Sequence, residues 1–122
     1  MKKIKSIIEK LALFDGIQGC ALVEVGSGMA WHYAGSMPGI EKLGEVAIEF
    51  WRVHTRLADH FDQLGALNSS AHSFAEHVIA LFPCSHEPAL VLVCVARKGH
   101  IDWTGWGKQV TDLKQALAAG VT

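Results

Sequence analysis

One long helical pattern constrains this chain more than any other feature of its sequence. From residue 40 to residue 61, apolar side chains recur at alternating steps of three and four, a spacing typical of a helix face. This seam consists of Ile40, Leu43, Ala47, Phe50, His54, Leu57 and Phe61, of which only His54 is polar. Around the helix axis, one side of the seam is flanked by Ile48, Trp51 and Ala58, with Gly44 and Thr55 between them. The other side is flanked by Val46 and Val53. The arc is about 220° wide, against the roughly 100° stripe of a helix that packs on one surface, so we predict that two surfaces cover this helix.

Five further segments are predicted to form β-strands. Residues 20–25 and 29–34 are joined by Gly26-Ser27-Gly28, which is typical of a hairpin turn. Residues 90–96 are apolar at every position, which predicts a strand buried on both faces near the middle of a sheet. Residues 66–74 are small and polar and predict an edge strand. Residues 77–82 predict another strand, and residues 83–88, which begin and end with proline, predict the loop after it.

Two shorter amphipathic helices complete the chain, one at residues 2–14 and one from about residue 102 or 104 to residue 119. The element order is therefore helix, strand, strand, long helix, three strands and helix. This order predicts an α+β fold in which a five-stranded, mostly antiparallel sheet lies between helices, as a single domain over residues 1–122.

Composition excludes several classes of protein. Half of the 122 residues are apolar and the net charge is −1, so the chain can offset its ordering entropy by burial and is not intrinsically disordered. Charges of both signs interleave after Lys2, Lys3 and Lys5, which argues against a nucleic-acid-binding protein. The longest apolar run is too short for a transmembrane helix, so we expect no membrane insertion. Glu9, Lys10 and Asp15 interrupt the only segment resembling a signal peptide, and the odd number of cysteines fits free thiols, so we expect a cytoplasmic location.

No constellation of residues points to catalysis. The seven histidines lack the H-x-x-x-H or Cys/His spacing of a metal site, and Ser69, Ser70, His72 and Ser73 lack a nucleophile elbow. Gly26-Ser27-Gly28 precedes a strand and lacks the lysine of a phosphate-binding loop. Cys20, Cys84 and Cys94 have no neighbouring charge in the sequence that would favour a thiolate. We therefore expect no cofactor, no metal and no enzymatic activity, although an enzyme of an unrecognised type stays open as a third interpretation.

Over nearly its whole length the chain resembles the roadblock family, the dynein-light-chain-like domains that in bacteria and archaea accompany Ras-like GTPases. The opening segment FDGIQGCALVEVGSGMAW is similar to the start typical of that family, with Gly16, Ile17, Gly19 and Ala21 at matching positions. Two features depart from the pattern. The turn is Gly-Ser-Gly rather than an acidic residue with glycine, and the segment WTGW precedes the last helix.

This resemblance implies a homodimer in which the long helices of two copies pack together and the third strands join edge to edge. It also implies a non-enzymatic scaffold or regulator that binds a small Ras-like GTPase. On this basis the dimer interface is predicted to contain Ile48, Trp51, Thr55, Ala58, Leu67, Ser69, Ala71 and Ser73, with the seam of residues 40–61 facing the sheet.

Two questions stay open at the level of sequence. Arg52 and Arg56 lie on the charged arc of the long helix and are candidates for contact with a GTPase, although such a face is usually only solvated. The competing interpretation is a PAS- or GAF-like sensor domain that binds a small ligand. Those folds place several short helices between their strands, where this chain has one long helical pattern.

Overall fold

The computed structural model describes residues 2–99 and 101–120; His100, one of the isolated histidines, lies outside the described residues. Helix α1 spans Lys2–Ala12, strands β1 and β2 span Ile17–Glu24 and Ala30–Ala34, and helix α2 spans Ile40–Leu57. A 3-10 helix, Ala58–Leu64, follows α2. Strands β3, β4 and β5 span Ser70–Ser73, His77–His86 and Ala89–Arg97, and helix α3 spans Trp103–Ala118. The predicted element order is confirmed.

The five strands form one antiparallel sheet in the order β2-β1-β5-β4-β3. Strand β5 is central, and its residues 90–96 are all buried, as their continuous apolar character predicts. Among the described residues, strand β3 pairs only with β4, and it is the predicted edge strand.

The sheet separates two hydrophobic clusters. Helices α1 and α3 pack on one face, where Ile8, Leu22 and Trp106 are almost completely buried. Helix α2 packs on the other face, where Ile40, Ala47 and Ile48 belong to one cluster with buried side chains of β1, β4 and β5. The α+β fold with a sheet between helices is confirmed.

Three elements depart most from their predicted bounds, while β1 begins at Ile17 rather than at residue 20 and α1 ends at Ala12 rather than at residue 14. The α-helix ends at Leu57 rather than at residue 61, because the chain continues as the 3-10 helix. The edge strand is limited to four residues of the predicted nine. The predicted loop at residues 83–88 is mostly strand. Pro83 lies beyond the end of β3 and pairs with Val91 of β5, and a β-bulge at Cys84 lets β4 continue to His86.

Glycines set how closely α2 approaches the sheet. A Cβ atom on Gly44 would lie 2.7 Å from the Cβ of Ala21, and one on Gly19 would lie 2.8 Å from Cγ1 of Ile40. Both distances are shorter than side-chain atoms tolerate. The pairs Gly44 with Ala21 and Gly19 with Ile40 therefore fix which side of α2 contacts the sheet.

Candidate functional site

An exposed apolar stripe runs along α2 on the side away from the sheet. Val46 is 56% exposed, Val53 40% and Leu57 42%, and the three lie within about 40° of one another around the helix axis. Phe61, 49% exposed, continues the apolar surface into the 3-10 helix. We call Val46, Val53, Leu57 and Phe61 the α2 stripe. Because the described residues leave it uncovered, the prediction of a helix with two apolar sides holds, and the stripe is the side that lacks a cover in a single chain.

The structure corrects the predicted assignment of these sides. Ile48 is 0% exposed and belongs to the cluster between α2 and the sheet, so placing it in a dimer interface is wrong: one chain already covers it completely. Trp51 is half-buried against the same cluster. Thr55 is exposed and donates its hydroxyl hydrogen to the carbonyl of Trp51 at 3.1 Å, and Ala58 is exposed in the 3-10 helix.

The seam predicted to face the sheet is divided between two environments. Ile40 and Ala47 are buried, whereas Leu57 and Phe61 are exposed. The sequence pattern reveals apolar residues on both sides of the helix, but it places Leu57 and Phe61 against the sheet, where the structure leaves them exposed. The signal that could have decided it is Gly44, because a glycine among large apolar residues marks the side of closest approach to another element.

The edge strand provides a second uncovered element. Leu67, Ser69, Ala71 and Ser73 are all exposed; Ala71 and Ser73 belong to β3, and the other two precede it. Within the described residues β3 has a neighbouring strand on one side only, so its outer main-chain groups are open to a further strand.

A stacked pair of rings joins the edge strand to α2. The ring of Phe50 lies on the imidazole of His72, with centroids 3.9 Å apart and planes 22° from parallel. Phe50 lies next to the α2 stripe around the helix, and His72 is in the middle of β3. The α2 stripe and the open edge of β3 are therefore neighbouring parts of one surface.

The imidazole of His72 is in an unfavourable place to carry a charge. Its Nε2 atom is buried, as is Oγ of Ser70, and neither has a hydrogen-bond partner among the described residues. Burial lowers the pKa of His72 below its usual 6.5, and the nearby His54 lowers it further.

This shift predicts how stability depends on pH. Between pH 6.5 and the lower folded-state pKa of His72, the unfolded chain binds more protons, so the free energy of unfolding falls as the pH falls through that range. In His72→Phe, which keeps the ring stack, we expect a weaker dependence than in the unaltered chain. Denaturant titrations at several pH values and one protein concentration measure it. His60→Gln, at an exposed histidine, is the control. If the free energy of unfolding of His72→Phe depended on pH as steeply as that of the unaltered chain, the prediction would be contradicted.

The two candidate arginines have different environments. The guanidinium of Arg52 donates to the carbonyl oxygen of Val25 from Nε at 3.1 Å and from Nη2 at 2.7 Å, and it forms an ion pair with Glu49. Arg52 therefore ties α2 to the end of the β1–β2 hairpin. Arg56 is exposed one turn later.

The buried cysteines are poor nucleophiles. Burial raises the pKa of Cys20 and of Cys84 to about 12, and it raises the pKa of Cys94 well above its usual range. All three belong to the cluster beneath α1 and α3. Across residues 2–99 and 101–120, no group of three or more His, Cys, Asp or Glu residues is placed to hold a metal ion. No helix in the same ranges is long and apolar enough to cross a membrane.

Comparison with known proteins reveals the fold but no sequence relative. No family profile matches the sequence, and no curated protein matches it. Among solved structures, a Roadblock/LC7 domain from Streptomyces avermitilis superposes with a TM-score of 0.77 at 11% identity, covering 99% of this chain and 97% of that one.

The similar structures also include MglB proteins from Myxococcus xanthus and Thermus thermophilus. Myxococcus xanthus MglB superposes with a TM-score of 0.73 at 14% identity, covering 96% of this chain and 93% of that one. The gliding protein MglB of Thermus thermophilus superposes with a TM-score of 0.74 at 14% identity, covering 97% of this chain and 87% of that one. The chain has the Roadblock/LC7 fold, which agrees with the resemblance seen in the sequence.

Proposed function

We propose that this chain is a homodimeric regulatory scaffold that binds a small Ras-like GTPase in the cytoplasm and modulates its activity or location. The observation that carries the proposal is the α2 stripe beside the open edge of β3. The Roadblock/LC7 fold, shared with two MglB proteins, supports the same conclusion.

In the proposed dimer, the α2 stripes of two copies pack on each other and the two β3 strands pair edge to edge. The exposed residues Leu67, Ser69, Ala71 and Ser73 flank the second contact. Thr55, about half a turn around α2 from the stripe, lies outside the first contact, and so does Ala58. Such a pairing satisfies main-chain groups that β3 leaves open, and a two-fold axis brings the same patch of both copies together. Ile48 takes no part in it.

The long helix favours a scaffold over the PAS- or GAF-like alternative. Between β2 and β3 the chain has α2 and one 3-10 helix that continues it directly. Sensor domains of those types place several short helices there, so the arrangement of elements supports the first interpretation.

The GTPase contact is proposed on the charged face of α2, with Arg56 at its centre. Arg56 is exposed, whereas Arg52 already uses its guanidinium on Val25 and Glu49. Arginine suits such a contact because its planar group binds carboxylates and phosphates with two parallel hydrogen bonds.

Titration against Ras-like GTPases encoded in the same genome, each loaded with GDP or a GTP analogue, tests this proposal. We expect one of them to bind, and Arg56→Glu to weaken that binding about tenfold or more because it replaces attraction by repulsion. Fluorescence anisotropy measures affinity, and single-turnover hydrolysis distinguishes activation from tethering. Lys98→Glu, an exposed charge reversal away from α2, is the matched control. Failure of every GTPase to bind in both nucleotide states would contradict the proposal.

A further inference from the structure

The helices on the two faces of the sheet carry opposite net charge. Within their bounds, α1 and α3 carry six lysines against two acidic residues, a net charge of +4: Lys2, Lys3, Lys5, Lys10, Lys108 and Lys114 against Glu9 and Asp112. Helix α2 and the 3-10 helix carry three basic residues against five acidic ones: Lys42, Arg52 and Arg56 against Glu41, Glu45, Glu49, Asp59 and Asp62. Although positive and negative residues interleave along the sequence, the fold thus places net positive and net negative charge on opposite faces of the sheet. We call the exposed surface of α1 and α3 the basic layer.

The lysines of the basic layer are free to meet a partner. All six lysines are exposed. Among the described residues the one ion pair joins Arg52 and Glu49, so none of these lysines is paired with a carboxylate there. A chain with a net charge of −1 therefore presents one face on which positive charge predominates, although Asp15 and Asp102 flank the two helices.

An open groove crosses the basic layer between its two helices. Lys3, Ile7 and Lys10 line it from α1, and Gln109, Asp112 and Gln115 are among the residues that line it from α3. Two ammonium groups and two amides outnumber the single carboxylate, so the groove offers donors to an anion.

An exposed apolar side chain lies at one end of this layer. Leu13, 83% exposed, follows the last residue of α1, and its main-chain N–H donates to the carbonyl of Lys10 at 3.1 Å. A leucine one turn from a lysine is the combination that interfacial helices use, with the cation at the headgroups and the apolar group at the acyl boundary.

We propose that the basic layer is a peripheral binding surface for anionic phospholipid membranes. Headgroup phosphates occupy the groove between Lys3, Lys10 and the two glutamines, and Leu13 enters the headgroup region. The cations in this layer are all lysines, which attract a charged surface as point charges but lack the planar fork with which arginine reads individual carboxylates. This favours a lipid surface over an acidic protein. The inference does not depend on the dimer or on the GTPase.

Co-sedimentation of the full chain with vesicles tests the proposal. We expect pelleting with phosphatidylcholine vesicles that contain about 30% phosphatidylserine, and none with phosphatidylcholine alone. Raising the salt concentration to about 0.5 M is expected to release the protein, because the Debye length falls well below the size of the contact.

Two charge-reversal variants with the same net charge distinguish this surface from a general charge effect. Lys3→Glu with Lys10→Glu is expected to lower the vesicle partition coefficient about tenfold or more, since each lysine near an anionic surface contributes severalfold. Lys42→Glu with Lys98→Glu, at exposed positions outside the layer, is expected to change it less than about twofold. Leu13→Ser is expected to weaken binding without altering charge, and circular dichroism checks that each variant is folded.

Three outcomes would overturn the proposal. The first is failure of the unaltered chain to pellet with anionic vesicles at low salt. The second is an equal loss in both charge-reversal variants. The third is binding to soluble polyglutamate with none to vesicles, which would assign the basic layer to an acidic protein.

Discussion

Replacing Val53 by glutamate is expected to convert a dimer of the 13.2 kDa chain into monomers. Val53 is 40% exposed in the middle of the α2 stripe, so its substitution leaves the core of one chain intact. In the proposed dimer it packs against the partner's helix, and a carboxylate in that apolar contact would lose its water without gaining a partner. Burial of such a charge costs several kcal/mol, which weakens association about 100-fold or more.

Sedimentation velocity over a concentration series measures this effect. Leu13→Glu is the matched control: Leu13 is 83% exposed, but it follows α1, which packs on the opposite face of the sheet from α2. Val53 is a sharper test than Trp51, which is half-buried against the sheet, so that its substitution would also disturb the core. An unaltered chain that sediments as a monomer at micromolar concentration, or a Val53→Glu variant that stays dimeric, would refute the proposed interface.

The second large effect is expected for Ile48→Ala. Ile48 is 0% exposed between α2 and the sheet, and truncating a buried isoleucine removes about 2–5 kcal/mol from the free energy of unfolding. Val46→Ala, two residues earlier and 56% exposed, is expected to change the stability of a single chain by less than about 0.5 kcal/mol.

Urea denaturation of both variants in the Val53→Glu background separates folding from association. In that background, a large decrease in the free energy of unfolding for Ile48→Ala and a small decrease for Val46→Ala would confirm the orientation of α2. The reverse ranking would restore the assignment made from sequence, in which Ile48 contacts a partner.

The sequence was a good guide wherever one residue pattern had a single physical explanation. The apolar run at residues 90–96 can only be buried on both faces, and it is the central strand. The small, polar residues before Phe74 suit an edge, and β3 is at the edge. The proline at residue 83 was misleading, because β4 extends past the end of β3 there: Pro83 pairs with Val91 of β5, and a β-bulge at Cys84 lets β4 continue past it.

The candidate site could be predicted from the sequence in part. The exposure of Ala71 and Ser73 follows from alternation along β3, which needs no tertiary information, whereas Leu67 and Ser69 precede the strand in a segment that is exposed throughout. The α2 stripe was missed because the apolar character of a helical residue indicates that it is buried, but does not indicate which neighbouring element buries it. Ile48 and Val53 differ little in hydrophobicity, yet one is completely buried and the other is 40% exposed.

The sequence alone determined the order of the elements, the α+β class and the presence of a helix with two apolar sides. These follow from periodicity and glycine positions, which are properties of neighbouring residues. Tertiary structure decided which side of α2 faces the sheet, because that depends on the close fit of Gly44 on Ala21 across two elements. It also decided where charge accumulates: residues far apart in the chain, in α1 and α3, form one basic layer because both helices pack on the same face of the sheet.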